Sequence, residues 1–352
     1  MSTSEKVQGI VQYRCKSCNA PYPLGADDVI ATCPYCGYTF AVGGGEISQH
    51  LFIPNKLDAE QVKKSVLKWI EFAASKSVGK GIVSNIEIEQ PVLQWIPYFR
   101  VKGSTDAYHL GYEKKKSGKQ TVLHKVEDTV SDVTTMWILA RRHAATFGVK
   151  EFLESIESHD AVPFDITQIK DPILNAEITQ DDAEPRAKYE KSEKDRAQLQ
   201  EEMDKLLDYR LNMEIEECAY VHVPYWLIRY EYKGGTFRVA FSGVSGTVVS
   251  GELPVTKRYR VIRWVSSLIM LVISALLFQA LPYITVAVLS GSSDSEAFAI
   301  PAIAGVVAAV LFGAAFYEVG KVLKYEIRVD AEGNEPDSES IFKKNIFGRQ
   351  LT

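Results

Sequence analysis

The chain has 352 residues, of which 46% are hydrophobic and 24% charged, and this length suffices for two or three domains. A formal net charge of −5 excludes a global basic field of the kind that attracts nucleic acid. The stretch from Trp264 to Val319 contains three acidic residues and no lysine or arginine. Because Met1–Gln12 contains no apolar run, we expect no signal peptide, and we expect the region before Trp264 to stay on the side where it is made.

Residues 1–45 contain four cysteines in two pairs, each with two intervening residues: Cys15, Cys18, Cys33 and Cys36. This spacing predicts a zinc ribbon that holds one structural Zn²⁺ per chain with four thiolates, which leave no coordination position open for catalysis. Asn19 and Gly37 follow the two pairs, and both tolerate the positive φ of a knuckle turn. A disulfide pair, a thioredoxin-like redox site and an iron site are the alternatives.

The first 50 residues carry three basic and four acidic side chains, so phosphate binding by the ribbon is disfavoured and a protein partner is favoured. The aromatic residues of this region are expected to form mainly a small core, with one or two available to anchor a partner: Tyr13, Tyr22, Tyr35, Tyr38 and Phe40.

Residues 46–180 are predicted to form a first α+β module after a hinge at residues 43–45. Asp58 and Gln61 predict a capping box at the start of an amphipathic helix over residues 59–75. Alternating and β-branched residues predict strands over 82–112 and 122–135, with a solvated hairpin tip at Gly111–Gly118. A helical or mixed segment is expected over 136–160.

Residues 181–260 are predicted to contain a charged helix over 185–214 and a second β module. Asp182 or Glu184 would start the helix, with Pro185 in its first turn. The helix either lies across a sheet, which its charge pattern favours, or projects towards a partner. Residues 95–102 resemble residues 222–229 at a constant offset, which suggests that the two β modules are an internal repeat.

Residues 261–322 are predicted to form a transmembrane helical hairpin with spans at 264–289 and 297–319, followed by a cytoplasmic tail at 323–352. The positive-inside rule places both termini in the cytoplasm of a two-span membrane protein, because basic residues flank the pair and the short loop has none. Small residues at 305–309 and 313–315 suit close helix packing, either within the hairpin or between copies in a homo-oligomer.

No catalytic motif is present, so we expect a non-enzyme with no catalytic or cofactor-binding residues beyond the zinc ligands. The lone Cys218 is expected to be a buried structural residue. The six histidines are scattered along the sequence: His50, His109, His124, His143, His159 and His222.

The order of these features resembles the YdjG-like zinc-ribbon membrane proteins of prokaryotes over roughly residues 12–325. The double-CxxC ribbon, Leu51–Pro54, Ile96–Phe99 and the block from Val223 to Pro254 carry the resemblance, although residues 242–246 depart from the family's usual Asn-Gly-Gln-Thr-Gly turn. The resemblance implies a non-enzymatic membrane scaffold, and a partner of the PspA or flotillin-like (SPFH) type in membrane stress.

The sequence therefore predicts an α+β scaffold or adaptor that is anchored in the membrane and binds a partner protein at the cytoplasmic face. Two alternatives stay open. One is a membrane-tethered regulator that touches nucleic acid through its ribbon, and the other is an oligomeric pore or transporter accessory.

Overall fold

A computed structural model describes residues 11–42, 47, 49–77, 81–117, 120–142, 147–153, 156, 160–255, 257–291, 299–322 and 326–333. The first half contains short N-terminal strands, one helix and a long hairpin: β1 Val11–Arg14, β2 Pro21–Leu24, β3 Ile30–Thr32, β4 Thr39–Ala41, β5 His50–Phe52, α1 Ala59–Ser77, β6 Ile86–Ile88, β7 Val92–Ser117 and β8 Gln120–Leu139. The second half is mixed and contains two apolar helices followed by a last strand: α2 Val149–Phe152, β9 Val162–Pro163, α3 Gln180–Glu202, β10 Lys205–Tyr232, β11 Gly235–Ser242, β12 Val248–Pro254, α4 Lys257–Gly291, α5 Ala299–Val322 and β13 Glu326–Asp330.

The fold is mixed α+β with antiparallel sheets, as the sequence predicts. Contacts divide the chain into two compact units. The first comprises residues 1–62, 91–227 and 240–249, and the second comprises residues 63–90, 228–239 and 250–352. The predicted domain boundaries at 45, 180, 260 and 322 stay predictions, and the predicted hinge at 43–45 lies outside the described residues.

The first unit is built on the long hairpin of β7 and β8, which pair without a register shift from Tyr98↔Leu139 to Ser117↔Gln120. On its other side β7 pairs antiparallel with β10, with two register shifts. The short strand β5 then lies parallel to β10, with His50 opposite Tyr220. This parallel pairing joins residues that are far apart in the sequence, which local periodicity does not reveal.

The two segments of the suggested repeat are neighbours in this unit. Trp95 and Pro97 of β7 lie opposite Pro224 and His222 of β10. The pairing is antiparallel, so the start of one segment faces the start of the other. That the segments derive from a repeat stays a prediction.

The predicted hairpin tip at Gly111–Gly118 is wrong in part, because β7 continues to Ser117 and only 118 and 119 separate it from β8. The strand predicted over 122–135 is longer than expected, and it ends at Leu139. Consequently the segment predicted as helical or mixed over 136–160 begins as strand, and among its described residues the α-helix is the single turn α2. Pairing with β7 extends β8 beyond its own β-branched run.

The charged helix α3 begins earlier and ends earlier than predicted. Its cap is Thr179, whose hydroxyl accepts from the backbone N–H of Asp182 while the Asp182 side chain accepts from the Thr179 N–H. Asp182 is the third helical residue of this capping box and not the N-cap, Glu184 lies inside the helix, and Pro185 lies in the second turn. From Lys205 onwards the chain is strand β10, because pairing with β7 outweighs the helical propensity of its charged residues.

Two apolar clusters form the core of the first unit. One joins the sheet to α2 through buried aromatic residues such as Tyr98, Phe152 and Tyr225. The other joins the opposite sheet face to α3, whose buried residues are Ala183 and Ala187. Alanine at these positions lets the helix backbone approach the strands, so α3 lies along the sheet.

The helix α1 begins at the predicted capping box, in which the Asp58 N–H donates to Gln61 Oε1 at 3.1 Å and the Gln61 N–H donates to Asp58 Oδ1 at 2.8 Å. In the second unit, α1 contributes Trp69, whose indole donates to the Ala331 carbonyl at 2.9 Å. A Cβ on Gly251 would lie 2.3 Å from the Trp69 ring, so only glycine leaves room for this indole.

The apolar helices α4 and α5 form an antiparallel pair in the second unit. Arg263 of α4 donates to Glu318 of α5 at 2.6 Å. The hydroxyls of Ser267 and Ser274 donate to the carbonyl oxygens of Ala315 and Ala308 at 3.0 and 2.8 Å. Because Ala308 and Ala315 are fully buried, the small residues at these two positions serve contact within the hairpin. Most of the loop predicted between the helices lies outside the described residues.

Candidate metal centre

Two short hairpins hold the four cysteines. Antiparallel β1 and β2 flank the Cys15–Cys18 turn, and antiparallel β3 and β4 flank the Cys33–Cys36 turn. Cys15 directly follows β1 and Cys33 directly follows β3, and both cysteines are buried. A small core surrounds the sulfurs, and in it Tyr22 and Phe40 are packed away from solvent.

The two turns have the same geometry. In the first, the Asn19 N–H donates to the Cys15 carbonyl at 2.8 Å, and in the second the Gly37 N–H donates to the Cys33 carbonyl at 2.9 Å. Asn19 has φ 60° and Gly37 has φ 75°, so both occupy the left-handed region that the sequence predicts for them. The Ser17 N–H also points at the Cys15 Sγ, 3.4 Å away.

The four sulfurs converge, with all ligand atoms within 4.8 Å of one another. Cys15 Sγ lies 3.6 Å from Cys36 Sγ, and Cys18 Sγ lies 3.7 Å from Cys33 Sγ. A tetrahedral zinc with Zn–S bonds of about 2.3 Å requires S···S separations of about 3.8 Å. The separations fit this requirement and exceed by far the S–S bond of about 2 Å in a disulfide. The cluster is therefore compatible with a metal site.

The electrostatics of the cluster point the same way. Burial raises the pKa of the Cys33 thiol to about 12. Burial also opposes ionisation of Cys15, but N–H groups of Cys18 and Ser17 and the neighbouring thiols lower its pKa to about 7. Four sulfurs this close cannot all ionise without a cation between them. A divalent metal would supply that charge and hold all four as thiolates.

Gly37 combines a left-handed backbone with a close neighbour, Ile166. A residue with a Cβ would be strained at the left-handed φ of this position, and its Cβ would lie 3.0 Å from Ile166 Cβ. We expect Gly37→Ala to destabilise the first unit by about 1–3 kcal/mol and to weaken metal binding. Gly234→Ala is the matched control, because Gly234 has φ 79° with nothing within 4 Å and lies in the second unit. Equal metal affinity in the two variants, measured by competition with a chelator, would contradict this expectation.

The cysteine hairpins contact the segment that precedes α3 through hydrogen bonds and through packing. Asn175 donates from Nδ2 to the Asp28 carboxylate at 2.7 Å and accepts from the Thr32 N–H at 3.2 Å. Ile30 of β3 forms an antiparallel bridge with Ala176 and packs in the α3 cluster of the core. We therefore expect changes at the metal cluster to alter the stability of the first unit's core.

The structure also brings together two histidines that the sequence treats as scattered. His50 Nε2 lies 2.8 Å from His222 Nδ1, and His50 Nδ1 lies 2.8 Å from the hydroxyl of Thr39 on β4. His222 Nε2 lies 3.1 Å from the Leu174 carbonyl. We call Thr39, His50, His222 and Leu174 the histidine chain. Parallel pairing of β5 with β10 creates it, so no motif in the sequence predicts it.

The acceptor at one end fixes the protons of the histidine chain. A carbonyl only accepts, so His222 carries its proton on Nε2 and accepts at Nδ1 from His50, which in turn accepts from Thr39. Burial lowers the pKa of His222 to about 4, and burial together with the nearby His222 lowers the pKa of His50 to about 2. Both rings are neutral at pH 7, and Phe164 stacks on His50 with ring centroids 3.8 Å apart.

The remaining candidate residues take separate places. Cys218 is buried in the core of the first unit, and burial raises the pKa of its thiol to about 12. Tyr35 and Tyr38, beside the second cysteine pair, are 65% and 42% exposed. Within the described ranges, the four cysteines form the one group of three or more Cys, His, Asp or Glu that could hold a metal. His143 and His159 lie outside those ranges.

Two helices are long and apolar enough to cross a membrane, Tyr259–Val286 and Pro301–Gly320. Their large apolar side chains are mostly exposed, with Leu268 and Val306 more than 60% accessible. This exposure differs from that of a core helix in a water-soluble fold.

Comparison of the sequence with protein-family models and with curated proteins, and of the fold with solved structures, finds no match.

Proposed function

We propose that the chain is a non-enzymatic scaffold or adaptor, anchored in the membrane by α4 and α5, whose zinc ribbon binds a partner protein. The main observation behind this proposal is the all-sulfur cluster. Four thiolates would occupy all four coordination positions of a tetrahedral zinc and would leave none for water or substrate. Zinc at this place would stabilise residues 11–42 and would not catalyse.

The partner surface that we propose is the outer side of the second cysteine turn. Tyr35 and Tyr38 are exposed there on a backbone that the metal would hold rigid. Exposed tyrosines on a rigid frame are frequent anchors of protein interfaces, because they bury a large area at small entropic cost. The net charge of residues 1–50 is −1 by sequence, which supports a protein partner over nucleic acid. The family resemblance would favour a PspA-type or SPFH partner.

For the membrane arrangement we propose that both termini face the cytoplasm. The supporting charges lie before α4's apolar stretch and after that of α5: Lys257, Arg258, Arg260, Arg263, Lys321, Lys324 and Arg328. The Arg263–Glu318 ion pair at this same end supports its placement near the membrane surface, where a paired charge costs least.

The test is cross-linking in native membranes with the full chain and with Tyr35→Ala/Tyr38→Ala. We expect a partner protein that is captured by the wild type and reduced at least tenfold in the variant, while metal content and membrane insertion stay unchanged. The control is Tyr189→Ala, since Tyr189 is 61% exposed and belongs to α3 and not to the cysteine hairpins.

Three other results would overturn the proposal. Turnover of a substrate by the purified protein would make it an enzyme. A salt-dependent shift of nucleic acid by the purified full chain, lost on removal of zinc, would make the ribbon a nucleic-acid module. Ion or solute flux through liposomes would favour the pore.

A further inference from the structure

The open edge of the large sheet is formed by β8. Across the described part of the chain, β8 pairs with β7 alone, over the whole of Gln120–Leu139. From Thr121 to Val133 nearly every residue is exposed, including Val122 at 51%, Leu123 at 59% and Val133 at 69%. The strand contains no proline and no bulge, two of the devices that usually keep an edge from pairing.

Hydrogen bonds identify which backbone groups face outwards. The N–H groups of Thr129 and Val133 donate to their neighbours' carboxylates, Asp128 Oδ1 and Asp132 Oδ1, at 2.8 Å each. The Asp132 carbonyl accepts from the Thr105 hydroxyl of β7. Because backbone direction alternates along an antiparallel strand, odd-numbered residues of β8 present N–H and C=O to the open edge and even-numbered residues face β7.

We propose that this edge binds the same edge of a second copy of the chain, antiparallel about a two-fold axis at Val126. The pairing would run from Thr121 to Ser131, and the residue numbers of each facing pair would sum to 252. It goes beyond the proposed scaffold function and does not depend on it.

Charge complementarity selects this register. Lys125 lies opposite Glu127 of the second copy, and His124 lies opposite Asp128, each twice because of the symmetry. Within one copy Lys125 and Glu127 already form an ion pair at 2.5 Å, so the two copies would bring four alternating charges together. Apolar residues also match, with Val122 opposite Val130 and Val126 opposite itself.

Neighbouring registers lack this match. A two-fold axis at Lys125 or at Glu127 sets like charges directly opposite, and an axis at Asp128 sets two carboxylates opposite each other. The axis at Val126 also satisfies the backbone. Odd-numbered residues then pair with odd-numbered residues, so that outward N–H and C=O groups from Thr121 to Ser131 lie opposite one another, and the Thr129 N–H exchanges the Asp128 carboxylate for a carbonyl of the second copy.

The symmetry gives a sharp test with the full chain in detergent or lipid nanodiscs. Val126 would face its own copy at a non-hydrogen-bonded pair, where Cα atoms lie about 4.5 Å apart, within disulfide range. Val126→Cys is therefore expected to form a covalent dimer under mild oxidation. Val133→Cys is the control, since Val133 is more exposed but lies outside the register. A covalent dimer of equal yield from the control and from Val126→Cys would overturn the proposal.

Charge variants test the same register without relying on a disulfide. Lys125→Glu replaces two attractive contacts by two repulsive ones, and we expect it to weaken the dimer, measured by light scattering, by about tenfold. The exchanged variant Lys125→Glu/Glu127→Lys restores the opposite pairs and is expected to recover wild-type dimerisation. A wild-type chain that is monomeric at micromolar concentration, a dimer that Lys125→Glu leaves unchanged, or an exchanged variant that stays as weak as Lys125→Glu would overturn the proposal.

Discussion

Replacing Cys33 and Cys36 together by serine is expected to remove the metal and to unfold residues 11–42. These two cysteines supply half of the converging sulfurs, and Cys33 is fully buried in the small core around the cluster. Structural zinc contributes on the order of 10 kcal/mol to domains of this size, more than their apolar core can replace. We expect metal content to fall from about one zinc per chain to near zero, measured by mass spectrometry of the purified protein.

Amide hydrogen exchange would show which residues unfold in the double variant. Amides of residues 11–42 should lose protection, and part of the loss should reach Ala176, which is bridged to Ile30. The apolar helices α4 and α5 belong to the second unit and the cysteines to the first, so membrane insertion should persist. Cys218→Ala is the control, because this thiol lies in the core and not among the converging sulfurs. A double variant that still holds one equivalent of zinc would contradict the site.

Acid is expected to destabilise the first unit through the histidine chain. In the folded protein the pKa of His222 is about 4 and that of His50 about 2, whereas both are near 6.5 when the chain is unfolded. Below pH 6.5 the unfolded state takes up protons that the folded state does not, so stability is full above pH 6.5 and falls as pH falls. At pH 5 the loss would be about 4 kcal/mol for the two rings together.

The measurement is denaturant unfolding between pH 7 and pH 5, with exchange of the β5 and β10 amides as the local readout. His50→Gln/His222→Gln cannot take up these protons, so it should start less stable at pH 7 and change much less with pH. His124→Gln is the control, because His124 is exposed on β8 and should keep the wild-type slope. Since acid also protonates thiolates, zinc content is measured in the same samples. Equal slopes for the wild type and the double variant would rule out the histidine chain as the cause.

Local signals in the sequence predict several elements of this fold. The Asp58–Gln61 capping box marks the start of α1, the cysteine spacing marks the residues whose sulfurs converge, and long charge-free stretches mark α4 and α5. Each depends on residues a few positions apart, so chain-local chemistry is enough to reveal it.

The errors arise where pairing between distant segments decides. The charged helix is predicted to extend to residue 214, but the structure has strand β10 from Lys205 onwards. Its buried residues Tyr209 and Met213 alternate with exposed ones: Arg210, Asn212 and Glu214. Alternation with a period of two is typical of a strand. The helix prediction rests on the charge and helical propensity of these residues, and pairing with β7 outweighs that propensity. The histidine chain left no such local sign, because His50 and His222 meet only when β5 pairs with β10.

The pairing of β5 with β10 also has a consequence for synthesis of the protein. His50 and His222 are separated by 172 positions, so at 5–20 residues per second β5 leaves the ribosome roughly 10–30 s before its partner strand exists. The four cysteines are all made before β5, and they can collect their metal during this interval. The newly made chain would then carry its two cysteine hairpins and a strand β5 that pairs with β9 on one side but lacks its β10 neighbour on the other. The missing strand is completed shortly before the first apolar helix begins at Lys257. A chaperone would have this interval in which to protect the open edge of β5.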